Sequence, residues 1–258
     1  MVHRAMGLML TAALGAASTP AAAQETEAGA VVTLASGEVR EGDLYAVGEA
    51  VRVHGRLAGD LVAGAQRILV DGQVEGDVFA AARTVDLRGA IGDSTRVVGE
   101  RVIVDATIDG DLIAGANRVQ ILESTVIRGG VAAAASSLEI DGTVEEDLRA
   151  AAGELVLRGT GRGAANVIAG RLDLAPDARI EGDLDYRTRI PLSPEAAARV
   201  AGTVRYEEPI DEDEEDDGSA AWSFVFWTWQ AGAALLAGLL AVALFRPLMQ
   251  QLASAIAG

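Results

Sequence analysis

Two features of this sequence have the residue types and spacing to do chemistry. The first is a column of carboxylates. Gly-Asp recurs at Gly42-Asp43, Gly59-Asp60, Gly76-Asp77 and Gly110-Asp111, with Gly92-Asp93 one position early and Asp147 continuing the column. Stacked carboxylates could gather calcium, which takes several oxygen ligands. They could equally be corner residues, because an Asp side chain bonds nearby backbone N–H groups. The repeat frame puts Ser94 and Arg128 in the column and the calcium pattern G-G-x-G-x-D is absent, so the corner reading is favoured and no metal ligand is assigned. The second feature is His54, which with His3 completes the histidines. An acyl-transfer enzyme built on a β-helix would use such an imidazole as its base. No Ser or Cys partner neighbours His54, and an outward, solvated histidine is the simpler expectation.

The inventory around these features removes most other mechanisms. Cysteine is absent and all 21 basic residues are Arg, which excludes disulfides, thiolate chemistry, Schiff bases and a Ser-Lys dyad. A formal charge of −17 argues against nucleic acid as a partner. Polysaccharide cleavage calls for aromatic platforms and paired carboxylates, and the central region offers only Tyr45, Phe79 and Tyr186 as aromatics. We assign no catalytic residue, no cofactor and no metal, and expect a protein that is not an enzyme.

The elements that carry these residues are repeats. From Thr33 to Arg187 the chain divides into nine blocks of 17 residues, one of them lengthened to 19 (RVQILESTVIRGGVAAAAS). Self-similarity at a short fixed period marks a solenoid. Val51, Ile68, Val85, Val102, Val119, Leu138, Leu155 and Leu172 share one block position, and Val53, Val70, Leu87, Val104, Ile121, Ile140, Leu157 and Leu174 another two residues on. A spacing of two places both on one face of a strand. Further apolar positions recur at Leu57, Val74, Ile91, Ile108 and Val144, and at Leu61, Val78, Leu112 and Leu148. Gly55, Gly72, Gly89, Gly142 and Gly159 stand between them, where positive φ would let the chain turn. Each block reads as three short strands round a triangle, and the Ala runs at 80–82, 132–135 and 150–152 as a flat face of small side chains. No Pro interrupts residues 33–175, as a backbone engaged in ladders requires.

The termini read as addresses and anchors. Residues 1–23 have a basic start (His3, Arg4), an apolar stretch from Met6 to Ala17 and an A-x-A site at Ala21-Ala22-Ala23, the pattern of a signal peptide. Residues 24–32 are expected to be an N-terminal linker. After the β-helix of residues 33–187 comes a capping segment, 188–206, in which Ser193 before Pro194 predicts a short helix over the last coil. Residues 207–221 form an acidic linker, with nine carboxylates between Glu207 and Asp217. Residues 222–245 hold no charge and are long enough to span a bilayer, with Trp222, Trp227 and Trp229 at one end and Arg246 beyond the other. Residues 246–258 are a membrane-proximal tail or the start of further hydrophobic sequence.

The coil grammar V-x-V-x-G-x-V-x-G-D-V-x-A, seen in ILVDGQVEGDVFAAA and VIVDATIDGDLIAGA, resembles that of bactofilins, the polymer-forming bacterial cytoskeletal family. The resemblance covers about Thr33 to Arg187. It implies a right-handed three-faced β-helix, end-to-end assembly without nucleotide, and contacts through apolar residues of the terminal coils; it brings no catalytic residue. Typical bactofilins lack a signal peptide and a spanning helix, so the chain looks like an exported, membrane-tethered relative. The expectation is an all-β protein of about nine coils plus a C-terminal transmembrane helix. It would be a scaffold at the bacterial inner membrane with its rod in the periplasm, a homo-oligomer through the coil ends that organises envelope proteins. The coil Leu34–Tyr45 is expected at the open end, with Leu44 as its sensitive residue. The other function considered is an envelope module reading a glycan or cation along the Asp corner.

Overall fold

The computed structural model of the chain describes residues 26–208. Its strands begin β1 (Thr26–Leu34), β2 (Val39–Arg40), β3 (Leu44–Val53), β4 (Arg56–Leu57), β5 (Leu61–Val70), β6 (Gln73–Val74), β7 (Val78–Leu87), β8 (Ala90–Ile91), β9 (Thr95–Val104) and β10 (Thr107–Ile108). They continue as β11 (Leu112–Ile121), β12 (Val126–Ile127), β13 (Val131–Ile140), β14 (Thr143–Val144), β15 (Leu148–Leu157), β16 (Thr160–Gly161), β17 (Ala165–Leu174), β18 (Arg179–Ile180) and β19 (Leu184–Arg187). A helical turn, α1 (Pro194–Ala197), and β20 (Val204–Glu207) complete them. The long strands and β20 form one 11-stranded sheet and the two-residue strands a 9-stranded one, each in chain order. Every pairing is parallel, so each circuit of the chain lies on the one before it: an all-β solenoid.

The burial pattern explains why a period of 17 works. In β7, Val78 and Ala80 point inward, but the next inward pair is Val85 and Leu87. Strict alternation would continue at residues 82 and 84, so the strand turns a corner there and supplies two faces. The two-residue strand supplies the third, with Val74, Ile91 or Ile108 pointing in. All four predicted apolar columns are buried. The direct register, Ile68 on Val85 on Val102, stacks like on like down the core, and each fully buried aliphatic side chain contributes about 1.5–3 kcal/mol. The Ala runs lie in β7, β13 and β15, where Ala133 sits on Ala150 and Ala135 on Ala152.

The 19-residue block has a local cause. Opposite the two-residue corner Asp105-Ala106, the next coil has four residues, 122–125, closed as a β-turn by Thr125 N–H donating to the Leu122 carbonyl at 2.9 Å. The same turn lengthens the first coil at residues 35–38 and a late one at 175–178, where Pro176 sits. The Thr125 hydroxyl donates to the Val104 carbonyl at 2.7 Å and fills the buried corner.

Several expectations need correction. The long sheet has 11 rungs rather than about nine coils, about 50 Å at ~4.8 Å per rung. The linker expected at residues 24–32 is strand from Thr26, because Thr26 to Leu34 pair with β3. Helix α1 forms, with the Ser193 hydroxyl accepting from Ala196 N–H at 3.2 Å, but it does not end the solenoid. Beyond it Val200 bridges Ile180, and β20 adds an eleventh rung on β19. The corner glycines do not have positive φ; among the described residues only Gly37 and Gly42 do. Gly72, Gly89 and Gly159 are needed for close approach, since a Cβ at each would land on the carbonyl oxygen of the glycine one coil below. Residues 1–23 and 222–245, read as signal peptide and spanning helix, lie outside the described residues, and among those described no helix is long and apolar enough to cross a membrane.

Candidate assembly surface

The carboxylate column is a structural ladder. Asp43 Oδ1 accepts from Asp60 N–H at 3.0 Å, Asp60 Oδ1 from Asp77 N–H at 2.9 Å, and Asp77 Oδ1 from Ser94 N–H at 3.0 Å. Ser94 Oγ then accepts from Asp111 N–H at 3.3 Å, and Asp111 Oδ1 from Gly130 N–H at 2.8 Å. The pattern resumes with Asp147 to Ala164 N–H at 3.1 Å and Asp183 to Thr203 N–H at 2.7 Å. Each side chain supplies the acceptor that the kinked backbone withholds from the coil above. The corner role holds, with one change: the partner is the next coil rather than the residue's own turn. Gly130, not Arg128, occupies the column, because the four-residue turn shifts the frame by two. Arg128 instead pairs with Asp109. Among the described residues no group of three His, Asp or Glu is placed to hold a metal ion.

His54 lies just past β3 at another corner, its Nδ1 2.6 Å from Asp71 Oδ1 of the next coil. Up this corner follow Arg88, held by Asp86 at 2.8 and 2.6 Å, and Arg158, 2.8 Å from Asp141. The hydrogen bond and charge of the neighbouring carboxylate raise the pKa of both guanidiniums. The corner is a surface ladder of opposite charges, and among the described residues no hydroxyl nucleophile shares a hydrogen bond with His54.

The two ends differ from the middle. Of the large hydrophobic residues left exposed among those described, Val31 and Val39 lie in the first rung, Ile190 and Tyr206 in the last, and Ile113 alone between them. The outer edges of β1 and β20 pair with no other described strand. The core columns also finish in opposite chemistry. Glu27 takes the place of inward Ala46 and Arg40 that of inward Leu57, and the two side chains form an ion pair across the bottom of the core. At the top the same columns end in Tyr206, its ring tilted against that of Tyr186 with centroids 5.3 Å apart, and in Val200. Leu44, expected at the open end, is 1% exposed beneath β1 and belongs to the interior. Glu27 escaped the sequence reading because the block frame began at Thr33, after β1 had started; Arg40 lay inside the frame but breaks the apolar column it occupies.

Residues 90–185 match the family model described as Bactofilin: Polymer-forming cytoskeletal. That stretch holds VIVDATIDGDLIAGA, one of the two segments in which the resemblance was read; ILVDGQVEGDVFAAA, residues 68–82, precedes it, and the same coil geometry continues down to Thr26. No curated protein matches the chain significantly. No solved structure does either. The match over residues 90–185 and the solenoid together support a polymer-forming structural protein.

Proposed function

We propose that this chain, which carries a bactofilin domain, is a membrane-anchored extracytoplasmic scaffold that assembles end to end through its terminal rungs. The observation that carries the reading is the pair of strand edges, on β1 and β20, that no other described strand covers, with exposed apolar residues gathered beside them. An unpaired edge offers N–H and C=O groups that another strand completes. Support for the location comes from the sequence: the signal-like residues 1–23, the apolar run 222–245 and the acidic stretch between rod and membrane. The handedness is that of the family, right-handed, and the working partners are further copies and envelope proteins at the inner membrane. No catalytic role enters. A cation or glycan reader along the Asp corner is the weaker reading, because the Oδ1 atoms of that column already accept backbone N–H groups.

The test blocks each edge separately in the full-length chain. Leu34 C=O accepts from His54 N–H above it, so the N–H of Thr33, one residue earlier, faces the free edge. Thr33→Pro removes that donor without touching an internal bond, and Tyr206→Asp puts charge on the opposite rim. Sedimentation should show multimers for the parent, short assemblies for each variant and monomers for the double variant, all with unchanged β circular dichroism. A parent chain that stays monomeric at high concentration refutes assembly by this route. A reporter fused after Asp217 should be active only outside the cytoplasm.

A further inference from the structure

The half of each long strand beyond its corner presents a face unlike the others. One outward column runs Ala50, Arg67, Thr84, Arg101, Arg118, each residue in register on the next, and Arg52 stands in the neighbouring column. Elsewhere on the rod Arg is mostly paired: Arg56 with Glu75, Arg128 with Asp109, Arg162 with Glu145. Arg52, Arg67, Arg101 and Arg118 are exposed and have no hydrogen-bond or carboxylate partner among the described residues. Of the acids on this strip, Asp86 is held by Arg88 through two hydrogen bonds, and Glu154, two rungs beyond Arg118, lies 3.7 Å from Arg171. A strongly acidic protein thus keeps a line of uncompensated positive charge on one side.

The same place is concave. A shallow groove of about 340 Å³ lies where short Ala50 and Thr84 flank Arg67, walled by Arg52, Arg67 and the Arg88–Asp86 pair with Leu69 beside them. Its size suits one or two rings of a larger chain. Guanidinium groups recognise carboxylates by paired, charge-assisted hydrogen bonds. Arg67 and Arg101 are two rungs apart, about 10 Å, with Arg118 one rung further. They would follow a polymer that carries charges at intervals along its length.

The protein's own acidic run is long enough to reach Arg118 on β11, five rungs or about 24 Å from β20, but not the groove. From β7 to β20 there are seven rungs, about 34 Å, whereas the nine residues after Glu208 up to Asp217 extend only about 30 Å. An acidic peptide would gain no backbone pairing here, because β5 and β7 are bonded on both edges. We propose that this arginine face, centred on the groove between Arg52 and Arg67, binds a linear carboxylated polysaccharide.

The test uses full-length protein and three probes at low salt: polygalacturonate, neutral dextran and polyphosphate. Polygalacturonate should bind, dextran should not, and the affinity should fall as salt rises. The variant R52Q/R67Q/R101Q/R118Q should bind polygalacturonate at least tenfold more weakly, while R179Q, an exposed arginine on another face, should bind as the parent does. The pairs R52Q/R67Q and R101Q/R118Q, each expected to lose several-fold, serve if the fourfold variant does not fold. No binding by the parent, equal binding by the variants, or tighter binding of polyphosphate through the same arginines overturns the proposal. Sedimentation of the same samples reads assembly separately, so either idea can fail alone.

Discussion

Asp60→Ala is the sharpest single test of how the coils are joined. Asp60 Oδ1 is the acceptor for Asp77 N–H at 2.9 Å, while its own N–H donates to Asp43. Truncation therefore leaves one backbone donor of the next coil unsatisfied and no other bond changed. A hydrogen bond to a charged acceptor is worth about 1.5–3 kcal/mol. Asp60 is only half-buried, so water recovers part of that. The rod also tolerates Gly130 and Ala164 in the same column. A loss of about 1–2 kcal/mol follows, a fall in Tm of roughly 2–8 °C for a domain of this size. Asp60→Asn keeps the oxygen and should lose less; Asp60→Ser should fall between, because Ser94 makes the same bond at 3.3 Å. Thermal unfolding gives the order Asp, Asn, Ser, Ala, and hydrogen exchange should find the Asp77 amide the most deprotected in Asp60→Ala. If Asn and Ala were equally damaging, and only when calcium is present, the carboxylate would be a metal ligand and the ladder argument would fail.

Three further outcomes follow from single side chains. Thr95 points into a column of Leu and Val with its hydroxyl buried and unbonded; Thr95→Val should stabilise by about 1 kcal/mol in urea unfolding. Gly89→Ala would set a Cβ on the Gly72 carbonyl oxygen, and the backbone shift should cost about 2 kcal/mol or more, seen as a lower Tm. Leu44→Arg buries a charge beneath β1 and should abolish cooperative unfolding, whereas Val31→Arg, on the exposed first rung, should leave the fold intact by circular dichroism.

The inward columns were legible in the sequence because aliphatic residues two apart at a constant period admit little besides stacked strands. The Asp column was legible as a corner for a similar reason, since Gly-Asp punctuates most blocks. Its bonding partner was not, because a bond from Asp60 to Asp77 N–H depends on which coil lies above, and only the three-dimensional register supplies that. The glycine corners illustrate the opposite failure. Their recurrence was visible, yet the cause is a carbonyl one coil below rather than the backbone's own φ. The terminal rungs were hardest to read, because an end coil departs from the repeat: Glu27 and Arg40 break the apolar columns they occupy, and α1 replaces part of a circuit before β20 restores it. The arginine face required knowing which arginines have partners, which spacing alone does not reveal.

The central claim is that one rod continues into the next. Cryo-electron microscopy of the assembled full-length protein tests it most directly. The account predicts filaments in which a rung spacing of about 4.8 Å runs unbroken along the axis through every junction between molecules. Rods lying side by side, or a spacing interrupted at each junction, would contradict it.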